Sequence, residues 1–247
     1  MIYEKFKVLN CGDKAILLEF GDRIDLDTFR LVQRLFLTLR DKADTDIIET
    51  VPSYRSLLIF YNPITTQIKH LIEKIRDIEK NLNDYELNST KVLKIPVAYG
   101  GEFGPDLEFV ADYHRVATEK IIKSHTGSSY INCMFGFDPG FVLLLGLPPE
   151  LETPRKENPR LIVPAGSVGI GGAQTGVYPC ERPGGWQLIG RTPLKLFNMN
   201  AAPPSFVDIG DGIRFQQISE EEYFEISARV ERNEEPIENY MERKTFA

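Results

Sequence analysis

The sequence predicts an α+β protein built from two unlike parts, and three observations predict it. Up to about Val97, runs with a two-residue apolar period alternate with runs at helical spacing. From Tyr99 onward, glycine and proline recur every few residues between short apolar runs, a density of breakers that short strands tolerate and helices do not. Of 247 residues, 42% are hydrophobic and 26% charged, enough for each part to bury a core of its own. The expected organisation is an α/β module over 1–90, a compact β-barrel or sandwich over 91–230, and a charged C-terminal tail over 231–247.

The first strand is expected at Lys14–Phe20, entered through Cys11-Gly12-Asp13 and left at Gly21. Asp25 or Asp27 then caps a helix, because a carboxylate accepts hydrogen bonds from the free N–H groups of a first turn. Phe29, Val32, Phe36 and Leu39 follow at helical spacing, with Arg30, Gln33, Arg34 and Arg40 opposite. Asp46–Val51 and Ser56–Tyr61 read as strands joined by Pro52-Ser53-Tyr54-Arg55, and Asn62-Pro63 stops the second and starts another helix. That helix carries the stripe Ile64, Ile68, Leu71, Ile72, Ile75 and Ile78. The polar stretch Asn81–Thr90 ends the unit, and Lys91–Val97 supplies a fourth strand. The order β-α-β-β-α-β is that of the ferredoxin-like split βαβ motif. A short helical section, Asp106–Ser124, precedes the turn-rich part, where Leu161–Val163 and Trp186–Ile189 are strand candidates.

Charge and motifs narrow the function by exclusion. With 29 basic and 36 acidic residues the formal charge is -7, and no Lys/Arg cluster is interleaved with aromatics, so nucleic acid is not an expected partner. No apolar run approaches the ~20 residues of a membrane helix. The longest, Phe141–Leu147, is closed by Pro148-Pro149. The N-terminus lacks a secretory apolar stretch, and Cys11, Cys133 and Cys180 fit neither a disulfide framework nor a Cys-x-x-Cys site, which reads as cytoplasmic. Gly166 and Gly171 have Walker spacing, but Gly172-Ala173 follows instead of lysine and a hydroxyl. A dinucleotide fingerprint from Gly169 would need glycine where Gln174 stands, and Ala165 breaks a nucleophile elbow around Ser167. His70, His114 and His125 have no zinc-site spacing, so no metal is expected.

What remains is specific by its length. YGGEFGPDL (Tyr99–Leu107) is followed by a helix, His125-Thr126 and Tyr130, then GFDPGF (Gly136–Phe141) and GLP (Gly146–Pro148). NPRLIVPAGSVGIGGAQTGVYPCERPGGWQLIGRTP (Asn158–Pro193) completes the pattern, with GDKAILLEFG (Gly12–Gly21) and VPSYRSLLIFYNP (Val51–Pro63) upstream. Together these runs resemble the family of KipI and the 5-oxoprolinase B-subunit (PxpB), also called the allophanate hydrolase subunit 1 family. The resemblance spans about Gly12 to about Ile218. It implies an α/β N-terminal module followed by a cyclophilin-like β-barrel. In function it implies the B-subunit of a 5-oxoprolinase, working beside subunits C and A on a small cyclic amide while the complex consumes ATP. The same resemblance covers a KipI-like inhibitor of a sensor histidine kinase. It also covers a carboxyltransferase half acting on urea-derived amides. Leu143 stands where relatives carry tyrosine, and Asn132 where they are aliphatic. A missing half predicts an exposed apolar face on the barrel, for a partner subunit to cover.

Opening a lactam is hard because the amide is resonance-stabilised, and ATP-coupled activation of its oxygen demands groups that position the amide and stabilise charge. Arg160 and Arg191 are candidate anion contacts, since a guanidinium fork holds carboxylate or phosphate in a plane; a structural salt bridge is the alternative for each. Gln174 offers both a donor and an acceptor to an amide edge, or braces a turn. Gly171, Gly172, Gly184 and Gly185 expose N–H groups to an oxyanion or simply make turns. His125 is the candidate proton carrier, with a helix C-cap as the competing role. Tyr178 is placed among the substrate contacts, although aromatic residues in such runs commonly fill a core.

Overall fold

Residues 1–42, 44–80, 82 and 91–243 are described by the computed structural model, in which the chain divides into Met1–Asn88 and Ser89–Ala247. In the first unit, β1 (Ile2–Asn10), β2 (Ala15–Gly21), β3 (Ile47–Pro52) and β4 (Ser56–Tyr61) form an antiparallel sheet in the order β1-β2-β4-β3. Helices α1 (Leu26–Lys42) and α2 (Ile68–Glu79) bury their apolar stripes with it. Alternation selects the inner face: Ile16, Leu18 and Phe20 of β2 and Leu57, Ile59 and Tyr61 of β4 join Val32 and Leu35 of α1 and Leu71 and Ile75 of α2. Asp25 is the cap of α1, its carboxylate accepting from the Thr28 amide at 2.9 Å and the Thr28 hydroxyl at 2.6 Å. Helix α2 starts later than its stripe: the Asn62 carbonyl takes the amides of Thr65 and Thr66, leaving Ile64 93% exposed in a turn.

The expected βαββαβ order needs correction. Strand β4 does lie between β2 and β3, but the fourth place in the sheet, beside β2, is taken by β1. Lys91–Val97 belongs instead to the sheet of the second unit. The reason lies in the pattern of β1, which buries only Phe6 and exposes Lys5 and Lys7. Such a lysine-flanked edge strand resists further pairing but carries no alternation signal. The expected linker Asn81–Thr90 lies outside the described residues, apart from Leu82.

In the second unit β5 (Lys91–Tyr99) leads to two helices, α3 (Leu107–His114) and α4 (Thr118–Gly127). The single section expected over Asp106–Ser124 breaks at Arg115, which takes a left-handed conformation with φ 56°. Strands β6 (Tyr130–Phe135), β7 (Val142–Leu145), β8 (Arg160–Val163), β9 (Ser167–Ile170), β10 (Thr175–Val177), β11 (Arg182–Gly184), β12 (Gln187–Arg191) and β13 (Gly212–Gln217) follow. Seven strands close a barrel in the order β5-β12-β9-β10-β7-β6-β13 and back to β5. Closure is made by β5 itself, parallel to β13 on one side and paired with β12 at Ala98 and Tyr99 on the other. Strands β8 and β11 make a separate two-stranded ribbon. Helix α5 (Glu220–Glu231) starts at a capping box between Ser219 and Glu222. The charged C-terminal segment does not hang free of the barrel: β14 (Met241–Arg243) pairs antiparallel with the start of β5.

Candidate functional site

Helix α4 ends in the barrel core, so His125 is fully buried. Its ring stacks on Phe215 at 4.4 Å, with Nδ1 2.7 Å from the Tyr99 hydroxyl and Nε2 3.1 Å from Thr175 Oγ1. Thr175 gives its one hydroxyl proton to the Gly169 carbonyl at 2.9 Å, so it must accept from His125 Nε2–H. Tyr99 therefore donates to Nδ1. Burial pushes the imidazole pKa down to about 3 and holds the Tyr99 phenol well above its usual range. With the ring neutral, buried and bonded at both nitrogens, the expected proton carrier is a satisfied core histidine. Its polar neighbours in sequence hide this, because burial comes from docking the helix end into the barrel.

The ring titrates near 6.5 when unfolded and near 3 when folded, so between these values the unfolded chain binds the extra proton. Its contribution to stability is full above about pH 6.5 and declines as pH falls toward 3, by up to about 1.4 kcal/mol per pH unit. Urea denaturation at pH 7 and pH 5 should show His125→Gln losing part of the wild-type difference between the two. An identical difference in both proteins would rule the assignment out.

The glycine-rich run builds a shelf for Trp186. A Cβ on Gly171 would lie 2.3 Å from Trp186 Cδ1, and one on Gly176 3.2 Å from Cζ3. Tyr178 stacks on Phe141 at 4.9 Å and meets Trp186 edge-on at 5.9 Å, and a Cβ on Gly184 would lie 2.6 Å from the Tyr178 hydroxyl. These aromatics, with Val163 and Leu188, form an apolar cluster on the outer side of the strands: Leu143 packs there while Val142 and Leu144 enter the barrel core. The Gly171 amide donates to the Gln174 carbonyl at 2.9 Å and the Gly172 amide to the Thr153 carbonyl at 2.7 Å, so neither is free for an oxyanion. Gly172 is there for its left-handed φ of 67°, and the Gly185 carbonyl accepts from the Lys156 amide at 2.7 Å. At the rim of the shelf, Gln174 Oε1 is 3.4 Å from Arg155 Nη2, and the Arg155 guanidinium stands 5.9 Å from the Trp186 ring.

Arg160 is held by a residue that the sequence pattern does not single out. Asp106 sits at the N-terminal end of α3 without capping it. Its Oδ1 accepts from Arg160 Nη2 at 2.6 Å and from Lys156 Nζ at 3.2 Å, and its Oδ2 from the Leu188 amide at 2.7 Å. Burial alone would raise the Asp106 pKa, but the hydrogen bonds from Arg160, Leu188 and Lys156 outweigh it and hold the carboxyl below its usual range. Arg160 is therefore half committed, its buried Nη1 having no partner among the described residues. Arg191 lies with a different set of groups: Nη2 donates to the Glu102 carbonyl at 3.2 Å, and the guanidinium is 5.8 Å from the Phe103 ring. Tyr223, 4.6 Å from Phe103, completes that group. The fold thus gathers Arg155, Gln174, Tyr178 and the four glycines around Trp186, with Arg160 alongside, and separates them from Arg191 and His125. Among the described residues no group of three or more His, Cys, Asp or Glu side chains could hold a metal ion.

The family described as carboxyltransferase domain, subdomain C and D, matches residues 6–207. The 5-oxoprolinase B-subunit of Bacillus subtilis (strain 168) is 41% identical over 231 residues, covering 89% of this chain and 95% of that one. The crystal structure of a conserved uncharacterized protein from Pyrococcus horikoshii is 41% identical with a TM-score of 0.54, covering 88% of this chain and 100% of that one. The K. lactis urea amidolyase shares the fold at a TM-score of 0.79 and 21% identity, covering 99% of this chain and 17% of that one. With its signature runs laid on both units and 95% of a B-subunit's length matched, the chain belongs to the 5-oxoprolinase B-subunit family, built on subdomains C and D of the carboxyltransferase domain.

Proposed function

We propose that this chain is the B-subunit of an ATP-dependent 5-oxoprolinase complex that converts 5-oxo-L-proline to L-glutamate in the cytoplasm, with subunits C and A as its partners. The reading rests on the 41% identity shared with the Bacillus subtilis protein across 95% of its length. A contributory role fits the site: His125 is sealed in the core, and the space over Gly171 is filled by Trp186. ATP is accordingly assigned to the complex. Leu161 and Ile162 of the β8–β11 ribbon, 85% and 61% exposed, support a partner that covers it. No helix among the described residues is long and apolar enough to cross a membrane. The test is co-expression with candidate A and C subunits, scoring ATP-dependent glutamate release. Turnover that survives omission of this chain would end the proposal.

Within the complex, Gln174 and Arg155 offer an amide edge and a guanidinium at one rim, and Arg191 offers a second guanidinium beside Tyr223. Arg191→Ala is expected to lower turnover at least about tenfold, the worth of one charge-assisted contact, with the thermal midpoint unchanged. Full turnover in that variant would make Arg191 structural. A carboxyltransferase half is the second reading, favoured by the fold shared with urea amidolyase. Carboxylation that depends on a biotinylated partner, without glutamate release, would select it.

A further inference from the structure

A feature that neither the glycine-rich face nor the barrel core accounts for is a cavity of about 250 Å³ beside the C-terminal end of α5. Its floor is apolar, made by Leu194, Phe206, Val230 and Ile237. That volume falls just below the ~300 Å³ at which drug-sized pockets begin, which suits a metabolite of about ten non-hydrogen atoms. The wall is built rather than accidental. Asn233 turns the chain out of α5 at a left-handed φ of 57°, and Glu235 is tied on one oxygen to Arg229 and on the other to the Tyr240 hydroxyl at 3.1 Å. Three polar groups on the lining are left over. Among the described residues Lys195 and Glu238 make no ion pair, and the Asn198 carboxamide, oriented by accepting the Asn200 amide at 3.0 Å, has no partner for its N–H₂. One cation, one acceptor and one amide donor over a short apolar floor match a particular ligand pattern: a carboxylate, an amide N–H and an amide carbonyl on a small hydrocarbon ring.

We propose that this cavity binds a small cyclic amide bearing one carboxylate, with Lys195 on the carboxylate, Glu238 on the amide N–H and Asn198 on the amide oxygen. The choice of ligand rests on the 5-oxoprolinase reading, and it places the lactam on this chain instead of on its partners. The glycine-rich face then keeps a structural and docking role.

Saturation-transfer NMR on the full chain tests this with three ligands. 5-Oxo-L-proline should show saturable binding. Pyrrolidone, which lacks the carboxylate, and L-proline, which lacks the carbonyl, should each bind at least about tenfold more weakly. Lys195 is exposed, so Lys195→Met should weaken binding about tenfold without moving the thermal midpoint, and Lys195→Arg should retain it. Absence of saturable binding by the wild-type chain, or undiminished binding by Lys195→Met, overturns the site. Glutamate release by the complex is read separately. Binding without turnover keeps the cavity and removes the 5-oxoprolinase reading, whereas turnover without Lys195-dependent binding does the reverse.

Discussion

Asp106→Ala is expected to destabilise the barrel unit by roughly 3–5 kcal/mol, because it leaves Arg160 and Lys156, whose side chains are 25% and 30% exposed, without their counter-ion. Asp106 is 5% exposed and accepts from Arg160, Lys156 and the Leu188 amide, and among the described residues it is the ion-pair partner of both cations. Asp106→Asn retains an acceptor for Leu188 and should fall between the two proteins. The folded carboxyl titrates below its ordinary range, so its contribution is present above the unfolded pKa of about 3.9 and is lost as pH falls through the lower folded value. In urea denaturation the gap between wild type and Asp106→Asn should therefore be constant from pH 7 to 5 and narrow below about pH 4. A loss under about 1 kcal/mol for Asp106→Ala would mean that Arg160 and Lys156 find water instead, as exposed pairs do.

The same residue shows where local sequence pattern stops being informative. Asp106 opens a helix after a glycine turn, which reads as a cap, yet its carboxylate faces Leu188, 82 positions later. No local period encodes a contact of that length. The first unit was legible for the opposite reason: β2 and β4 bury one face each, and the stripe of α1 repeats at helical spacing, so local alternation carries the element and its orientation. Strand β1 buries one side chain and left no such trace. The destination of Lys91–Val97 was equally hidden, because a strand buried along nearly its whole length has the same pattern in any sheet that covers it.

The candidate site divides along the same line. The density of glycines over Gly166–Gly176 announced close backbone approach, but not what approaches. Gln174, Tyr178 and the glycines converge because they share one outer surface, whereas Arg191, on the strand that carries Leu188, turns to Glu102 and Phe103. His125 sits between Ser124 and Thr126, and only its docking against Phe215 and Thr175 makes it a core residue.

Trp186→Ala is expected to cost roughly 3–5 kcal/mol, the usual loss for emptying an aromatic from a packed cluster, since the indole is 4% exposed and contacts Phe141 and Tyr178. Gly171→Ala should cost about 1–3 kcal/mol on its own, by overpacking. The three atoms nearest its added Cβ all belong to the Trp186 ring, and Gly171 has no left-handed φ to strain. The two effects must therefore couple. In the Trp186→Ala background the added methyl enters the space the indole has left, and Gly171→Ala should become close to neutral or slightly stabilising. A glycine kept for a turn or for a bound phosphate would instead lose the same amount in either background. A double-mutant cycle in urea separates the cases: a coupling energy of about 1–3 kcal/mol assigns the glycine to the tryptophan, and additivity within about 0.5 kcal/mol removes that assignment.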